Sequence, residues 1–174
     1  TMPPDDLLIR KLMYSDLPLL EWDGEFKHFR KLYENVYQRT LRNRAVMWMA
    51  AIKTDPLIGQ VFIQLNSRRP DLADGSFRAY MFGFRIKPYL QGQGIGSLML
   101  IKAECNLARL QFHRICLNVV RTNDRARQFY ERHGYKIIGP DPGLWHYQDN
   151  EGIWHDMEEP AWRMEKELFP SLKE

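Results

Sequence analysis

Two stretches of the chain hold residues whose types and spacing could do chemistry. The first is Gln91-Gly92-Gln93-Gly94-Ile95-Gly96-Ser97, between Pro88 and an apolar periodic run. A strand that turns directly into a helix leaves the first N–H groups of that helix unpaired beside the positive end of its dipole, and an anion can bind there. Glycines at 92, 94 and 96 keep side chains out of a phosphate's approach to those amides, and the Ser97 hydroxyl could add a donor. A Walker loop does not fit, because Gly96 is followed by Ser97-Leu98 and not by Gly-Lys-Ser/Thr. A Rossmann loop fits no better: the pattern is G-x-G-x-G after several strands, not G-x-G-x-x-G opening a parallel unit. The second stretch is Asn123-x-x-Ala126-x-x-x-Tyr130-x-x-x-Gly134-Tyr135, which puts an Asn and a phenol on one helical segment.

The elements that must position these residues follow from periodicity and punctuation. Leu7 to Leu12 suits a first strand, and Ser15 or Asp16 offers an N-cap to a helix after it. Phe26, Phe29, Tyr33 and Val36 recur at spacings of three and four, the pattern of an amphipathic helix with a charged outer face. Ala45 to Ile52 and Leu57 to Leu65 read as a hairpin turning at Thr54-Asp55-Pro56, and Asn66 to Gly75 as a loop. Phe77 to Ile86 is a fourth strand ended by Pro88. Leu98, Ile101, Cys105 and Ala108 then mark a helix that opens at the glycines. Arg114 to Val120 is a fifth strand, Asp124 to Arg132 a helix terminated by Gly134, and Tyr135 to Ile138 a further strand. Beyond a segment with Gly143, Trp145 and the polar stretch 148–152, Ala161 to Leu168 suits a closing strand.

Bulk properties narrow the class. A chain of 174 residues with 44% apolar content and no repeat or linker is expected to be one globular domain over residues 1–174. Cys105 and Cys116 lie in apolar surroundings without metal-like spacing, so both are expected as reduced, buried thiols. His28, His113 and His133 likewise suggest no metal. Asp5 and Asp6 interrupt the first thirty residues, and no apolar run reaches the length of a membrane span, so neither a signal peptide nor membrane association is expected and a cytoplasmic location is. A formal charge of +3 would help attract a phosphorylated ligand but does not by itself indicate nucleic-acid binding.

Together the two motifs resemble the GNAT superfamily of N-acetyltransferases. Its Gln/Arg-x-x-Gly-x-Gly/Ala signature after the fourth strand is matched by Gln91, Gly94 and Gly96, and its downstream segment by Asn123, Ala126 and Tyr130. The resemblance is close from about Phe77 to Gly139, and the element order before it is compatible. It implies a mixed α/β fold: a twisted, mostly antiparallel sheet of six or seven strands, splayed in the middle and flanked by helices. It implies acetyl-CoA as acyl donor, no metal, and direct attack of a primary amine on the thioester through a tetrahedral intermediate. The pyrophosphate would sit on the amides from Gln91 to Ser97, and Asn123 would contact the donor. The backbone of Phe84, Arg85 and Ile86 would hydrogen-bond the pantetheine arm. Tyr130 would protonate the departing thiolate, since a phenol of pKa about 10 can serve a thiol of pKa about 8.5.

The general base is where the chain departs from well-known relatives. Histone-type members carry a Glu roughly where Tyr80 stands, and ribosomal-protein-type members one where Asn118 stands. Glu21, Asp23, Glu25, His146, His155, Glu158 and Glu159 are the remaining candidates, each also readable as an ordinary surface group. Trp22, Trp145, Tyr147 and Trp154 could wall an acceptor pocket with apolar and cation–π faces. The acceptor stays open between a small-molecule and a protein amine. Homodimers are common in the superfamily, and no residue pattern fixes an interface. Three rivals stand beside this reading: an enzyme using a longer acyl-CoA, a noncatalytic CoA-binding module, and a nucleic-acid binder resting only on the basic residues from Lys27 to Arg44.

Overall fold

The computed structural model describes residues 2–170. Strand β1 (Leu8–Lys11) pairs antiparallel with β2 (Ala45–Ile52), and between them the chain makes 3-10 turns over Tyr14–Glu21 and Lys27–Phe29 before helix α1 (Arg30–Thr40). The first turn is tighter than the helix expected there because Pro18 lies inside it and has no N–H to give an α-helical bond. Asp16 does not cap from outside. Its carboxylate accepts Met13 N–H at 2.8 Å and both Arg10 guanidinium nitrogens at 2.7 and 3.0 Å, which ties the turn to β1.

The β2–β3 hairpin closes at Lys53-Thr54, so Asp55 and Pro56 open strand β3 (Asp55–Gln64) and do not form its turn. Both faces of β2 are covered, which explains its nearly unbroken apolar run. Val46, Trp48 and Ala50 enter one core, while Ala45, Met47 and Met49 enter another with Tyr33 and Val36 of α1.

Strand β4 (Arg78–Ile86) leads through a short turn at Pro88–Leu90 into helix α2 (Ile95–Arg109). There follow β5 (Arg114–Val120), α3 (Asp124–Arg132), β6 (Lys136–Asp141), β7 (Leu144–Gln148), β8 (Trp154–Glu158) and β9 (Ala161–Glu167). Strand β9 inserts between β5 and β6, giving a seven-stranded sheet in the order β1-β2-β3-β4-β5-β9-β6. Every neighbouring pair is antiparallel except β4–β5. The mixed α/β, mostly antiparallel architecture expected from the motifs is the one observed.

Three details differ from expectation. Helix α2 buries Ile95, Met99, Leu100, Ala103 and Leu107, whereas Leu98, Ile101 and Cys105 face outward. Both stripes have helical spacing, and the sheet takes the one whose Ala103 permits close approach. Cys105 is therefore an exposed thiol and Cys116 alone is buried. The segment after Gly143 forms a separate hairpin, β7–β8, whose turn is built on Asp149 accepting from the N–H groups of Glu151 and Ile153.

Candidate active site

Strands β4 and β5 are paired only from Arg78↔Arg114 to Met81↔Leu117. Beyond that point β4 stays with β3 and β5 with β9, so Phe82–Ile86 and Asn118–Val120 diverge and leave a cleft open through the sheet. A β-bulge drives the divergence: two residues, Gly83 and Phe84, oppose Val61, and Gly83 has φ +64°. A Cβ at Gly83 would lie 2.6 Å from Cδ2 of the buried Phe62 ring, so only glycine fits. Sequence reasoning missed this residue, although a glycine inside a strand is a recognised bulge signal.

The alternation of an antiparallel ladder decides which backbone groups face the cleft. Lys87 N–H donates to Ile58 O at 2.8 Å and Arg85 stands opposite Gln60, so Arg85 and Lys87 turn their backbone to β3. Phe84 and Ile86 turn theirs toward the cleft. Of the three residues expected to offer backbone there, Arg85 instead offers its side chain, on the α1 face.

The cleft runs to the N-terminus of α2, where Gly94 is the N-cap with φ +78° and Gly92 has φ +80°. The first intrahelical bond is Leu98 N–H to Gly94 O at 3.2 Å, so the N–H groups of Ile95, Gly96 and Ser97 precede the ladder and are available to an anion. Ile95 is buried and can contribute only backbone, while Gln93 is half-buried beside the turn. Gln91 holds the turn closed, its side-chain amide donating to Ile86 O at 3.0 Å. Ser97 Oγ is 2.9 Å from His133 Nε2, and burial holds that imidazole below its usual range.

Helix α3 closes the other side. Asn123 caps it, its side-chain oxygen accepting Ala126 N–H at 3.1 Å, which leaves the amide nitrogen exposed. Phe129 packs 6.1 Å from the Phe84 ring and fills the space over Gly96. Tyr130 stacks edge-on with Phe129 and Tyr135, and its hydroxyl has no protein partner among the described residues. Burial first, and then the neighbouring Tyr80, push its phenol well above the usual range. The same burial raises Tyr80 to about 12 and Cys116 to about 11. These groups stay protonated at any ordinary pH.

On the α1 face the cleft opens into a cavity of about 550 Å³, walled by Phe29, Tyr33, Phe82 and Trp145 and closed on one side by the β7–β8 hairpin. Tyr80 and Asn118 line it and carry no carboxylate. Asn118 Oδ1 accepts from Arg163 Nε at 2.7 Å. Arg163 also binds Asp141 at 2.5 Å, and both are buried. Only two carboxylates line the cavity among the described residues, Asp141 and Glu159. Glu159 accepts from Trp145 Nε1 at 3.2 Å, and its own N–H donates to Gly143 O at 3.0 Å. Of the other candidate bases, His146 lines the cavity and Glu21 is bonded to Arg30 at 2.8 Å elsewhere. His155 pairs with Asp149 at 2.7 Å, and Asp23, Glu25 and Glu158 do not line it. Trp145 is in the wall, whereas Trp22, Tyr147 and Trp154 are not. Among the described residues there is no cluster of three or more metal-ligating side chains, and no helix is long and apolar enough to cross a membrane.

A seven-stranded sheet split between its parallel strands, with an anion-ready helix N-terminus at one end of the split and an unpartnered phenol beside it, defines the GNAT class of acyltransferase folds. Residues 12–135 match the family model described as Acetyltransferase (GNAT) family, and the chain belongs to that family. Its structure is similar to Ard1 from Thermoplasma volcanium, at 14% identity over 94% of this chain and 99% of that one, with a TM-score of 0.71. It is similar to Arabidopsis thaliana NAA60 in complex with acetyl-CoA, at 17% identity over 92% and 98%, with a TM-score of 0.69. A spermidine N-acetyltransferase SpeG chimera from Vibrio cholerae and hSSAT gives 20% identity over 94% and 96%, with a TM-score of 0.65. At these identities the likeness is one of fold. No curated protein matches the chain in sequence.

Proposed function

We propose that this protein transfers the acetyl group of acetyl-CoA to a primary amine by direct attack, within the cleft between β4 and β5. The observation that carries the reading is the stretch of β4 that β5 leaves unpaired, ahead of the open N-terminus of α2. When bound, the donor supplies a thioester carbonyl and a thiol leaving group. The N–H groups at Gly94–Ser97 take its pyrophosphate, with Gln91 holding the turn and Gly92, Gln93 and Gly96 keeping it open. Backbone groups of Phe84 and Ile86 align the pantetheine arm. The exposed Asn123 amide supplies one further donor.

Tyr130 gives its proton to the departing sulfur. A phenol whose pKa is raised by burial is a weaker acid, but it is always in the donor form and has no competing partner. Glu159 receives the amine. Asp141 is neutralised by Arg163, which leaves Glu159 as the free carboxylate on the cavity wall to bind an ammonium and take its proton. The similar structures include NAA60 in complex with acetyl-CoA and a spermidine N-acetyltransferase chimera, which supports the donor and an amine acceptor.

The test is thiol release from acetyl-CoA across a panel of amines, with mass-spectrometric detection of the N-acetyl product. Acetylation of at least one class that is lost in Tyr130→Phe supports the reading. Tight CoA binding with no transfer to any amine would instead favour a noncatalytic CoA-binding module.

A further inference from the structure

The cavity's charges do not all cancel. Four ionised side chains line it among the described residues: Arg69, Arg85, Asp141 and Glu159. Arg69 is paired with Asp71 at 2.8 Å and approaches Asp141 at 3.8 Å, and Asp141 is held by Arg163. Arg85 has no carboxylate within ion-pair distance among the described residues. Its guanidinium lies over Phe26 at 4.4 Å and Phe29 at 5.5 Å, and Nη1 donates to the Tyr33 hydroxyl at 3.4 Å. Stacking fixes the plane of the fork without satisfying its donors, and a planar fork of that kind takes a carboxylate through two parallel hydrogen bonds.

A second donor beside it lacks an acceptor. Gln60, directly opposite Arg85 in the β3–β4 register, is fully buried. Its Oε1 accepts from Trp22 Nε1 at 3.2 Å, which sets the amide's orientation and leaves Nε2 without a partner. Gln60 stands behind the cavity wall, and it is the half-buried Arg85 cation, without a counter-ion among the described residues, that makes the cavity a site short of an anion. The other lone charge, Glu159, sits beyond Trp145, whose ring is 6.1 Å from Phe29. The cavity therefore presents, among the described residues, one free cation and one free anion across an aromatic floor.

We propose, resting on the acetyl-transfer reading, that the acceptor is a primary amine that itself carries a carboxylate, a free amino acid with an apolar body. Its carboxylate binds the Arg85 guanidinium, and its side chain packs on Phe29, Phe82 and Trp145. A polyamine would place a cation against Arg85, and the N-terminus of a protein lacks the carboxylate that Arg85 calls for.

The test compares L-phenylalanine, L-phenylalaninamide and 2-phenylethylamine as acceptors, with L-lysine, L-lysinamide and cadaverine as a second set. Binding of N-acetyl-L-phenylalanine and N-acetyl-2-phenylethylamine to the CoA complex is measured by calorimetry alongside, so that Arg85 is interrogated even where turnover is slow. The carboxylate-bearing member of each set is expected to be preferred roughly 10- to 100-fold in kcat/KM, and the acetylated acid to bind tighter by a similar factor. In Arg85→Gln that preference collapses while KM for acetyl-CoA is unchanged. Arg85→Lys, which keeps the charge and loses the fork, retains part of it. Equal or better use of the carboxylate-free amines by the wild-type protein, or a preference that survives Arg85→Gln, overturns the proposal while leaving acetyl transfer intact. Selective binding of the acetylated acid without turnover of any amine would keep the anion subsite and overturn acetyl transfer.

Discussion

Replacing Tyr130 with Phe removes one oxygen from a position where the two readings of the residue diverge sharply. If Tyr130 only packs, its ring contacts with Phe129 and Tyr135 at 5.3 and 5.6 Å survive in Phe and nothing changes. The hydroxyl bonds to no protein group among the described residues, so its loss breaks no internal hydrogen bond and stability should stay within about 0.5 kcal/mol of wild type. If it protonates the leaving thiolate, kcat falls by roughly 10²-fold, about 2.7 kcal/mol of barrier, with KM for acetyl-CoA nearly constant because the interaction forms only as the thiol departs. The pH profile adds a sign. Burial raises the folded pKa above the ordinary phenol value, so the donor form persists beyond pH 10, and wild-type kcat should show no alkaline decline that Tyr130→Phe abolishes. The assay is steady-state thiol release across neutral to alkaline pH on both proteins, with thermal melts as control. A Phe variant with kcat within about twofold of wild type, less than 0.5 kcal/mol of barrier, would remove Tyr130 from the chemistry.

Other perturbations probe the frame around it. Gly83→Ala puts a side chain at φ +64° with its Cβ 2.6 Å from the Phe62 ring, a combined strain of about 2–4 kcal/mol that should lower Tm by roughly 4–16 °C in a calorimetric scan. An unchanged Tm would show that the bulge relaxes freely. Glu159→Gln keeps an acceptor for Trp145 Nε1 but not the charge, and should cut kcat/KM for the amine by roughly 10²-fold without altering acetyl-CoA binding. Equal activity would move the base to His146 or to water. Asp16→Asn breaks the Arg10 pair and should cost about 2 kcal/mol in a urea melt. The Arg10 guanidinium first, aided by Met13 N–H, holds that carboxyl below its usual range, so the stabilisation is present above pH about 4 and disappears as the pH falls further. A wild-type melt that is flat through that acid range would contradict it.

The two motifs and the element order are local properties, and the sequence was enough to determine them. Glycine spacing at 92, 94 and 96 determines a turn with exposed amides whatever surrounds it, and the apolar runs of β2, β5 and β9 and the terminating Gly134 of α3 determine strands and a helix at nearly their observed bounds. Local pattern failed where two registers were equally good. On α2 the stripe through Leu98, Ile101 and Cys105 has helical spacing, as does the one through Ile95, Met99 and Ala103, and only contact with the sheet selects between them. The helix expected after Ser15 tightened into a 3-10 turn because Pro18 removes a donor that spacing alone does not count.

What tertiary structure decided is the acceptor side. The cleft exists because β4 turns at the bulge of Gly83 and Phe84 and leaves β5 beyond Met81↔Leu117, while β5 stays paired with β9, a pairing between segments more than forty residues apart. The partners of Arg163, Asp141 and Asn118 and the position of Glu159 on the cavity wall depend on how β9 is placed, and the isolation of Arg85 on its place opposite β3 beneath Phe26 and Phe29. A charge's role follows from which other charges lie within a few ångströms of it, and that is a property of three-dimensional neighbours which no spacing along the chain encodes.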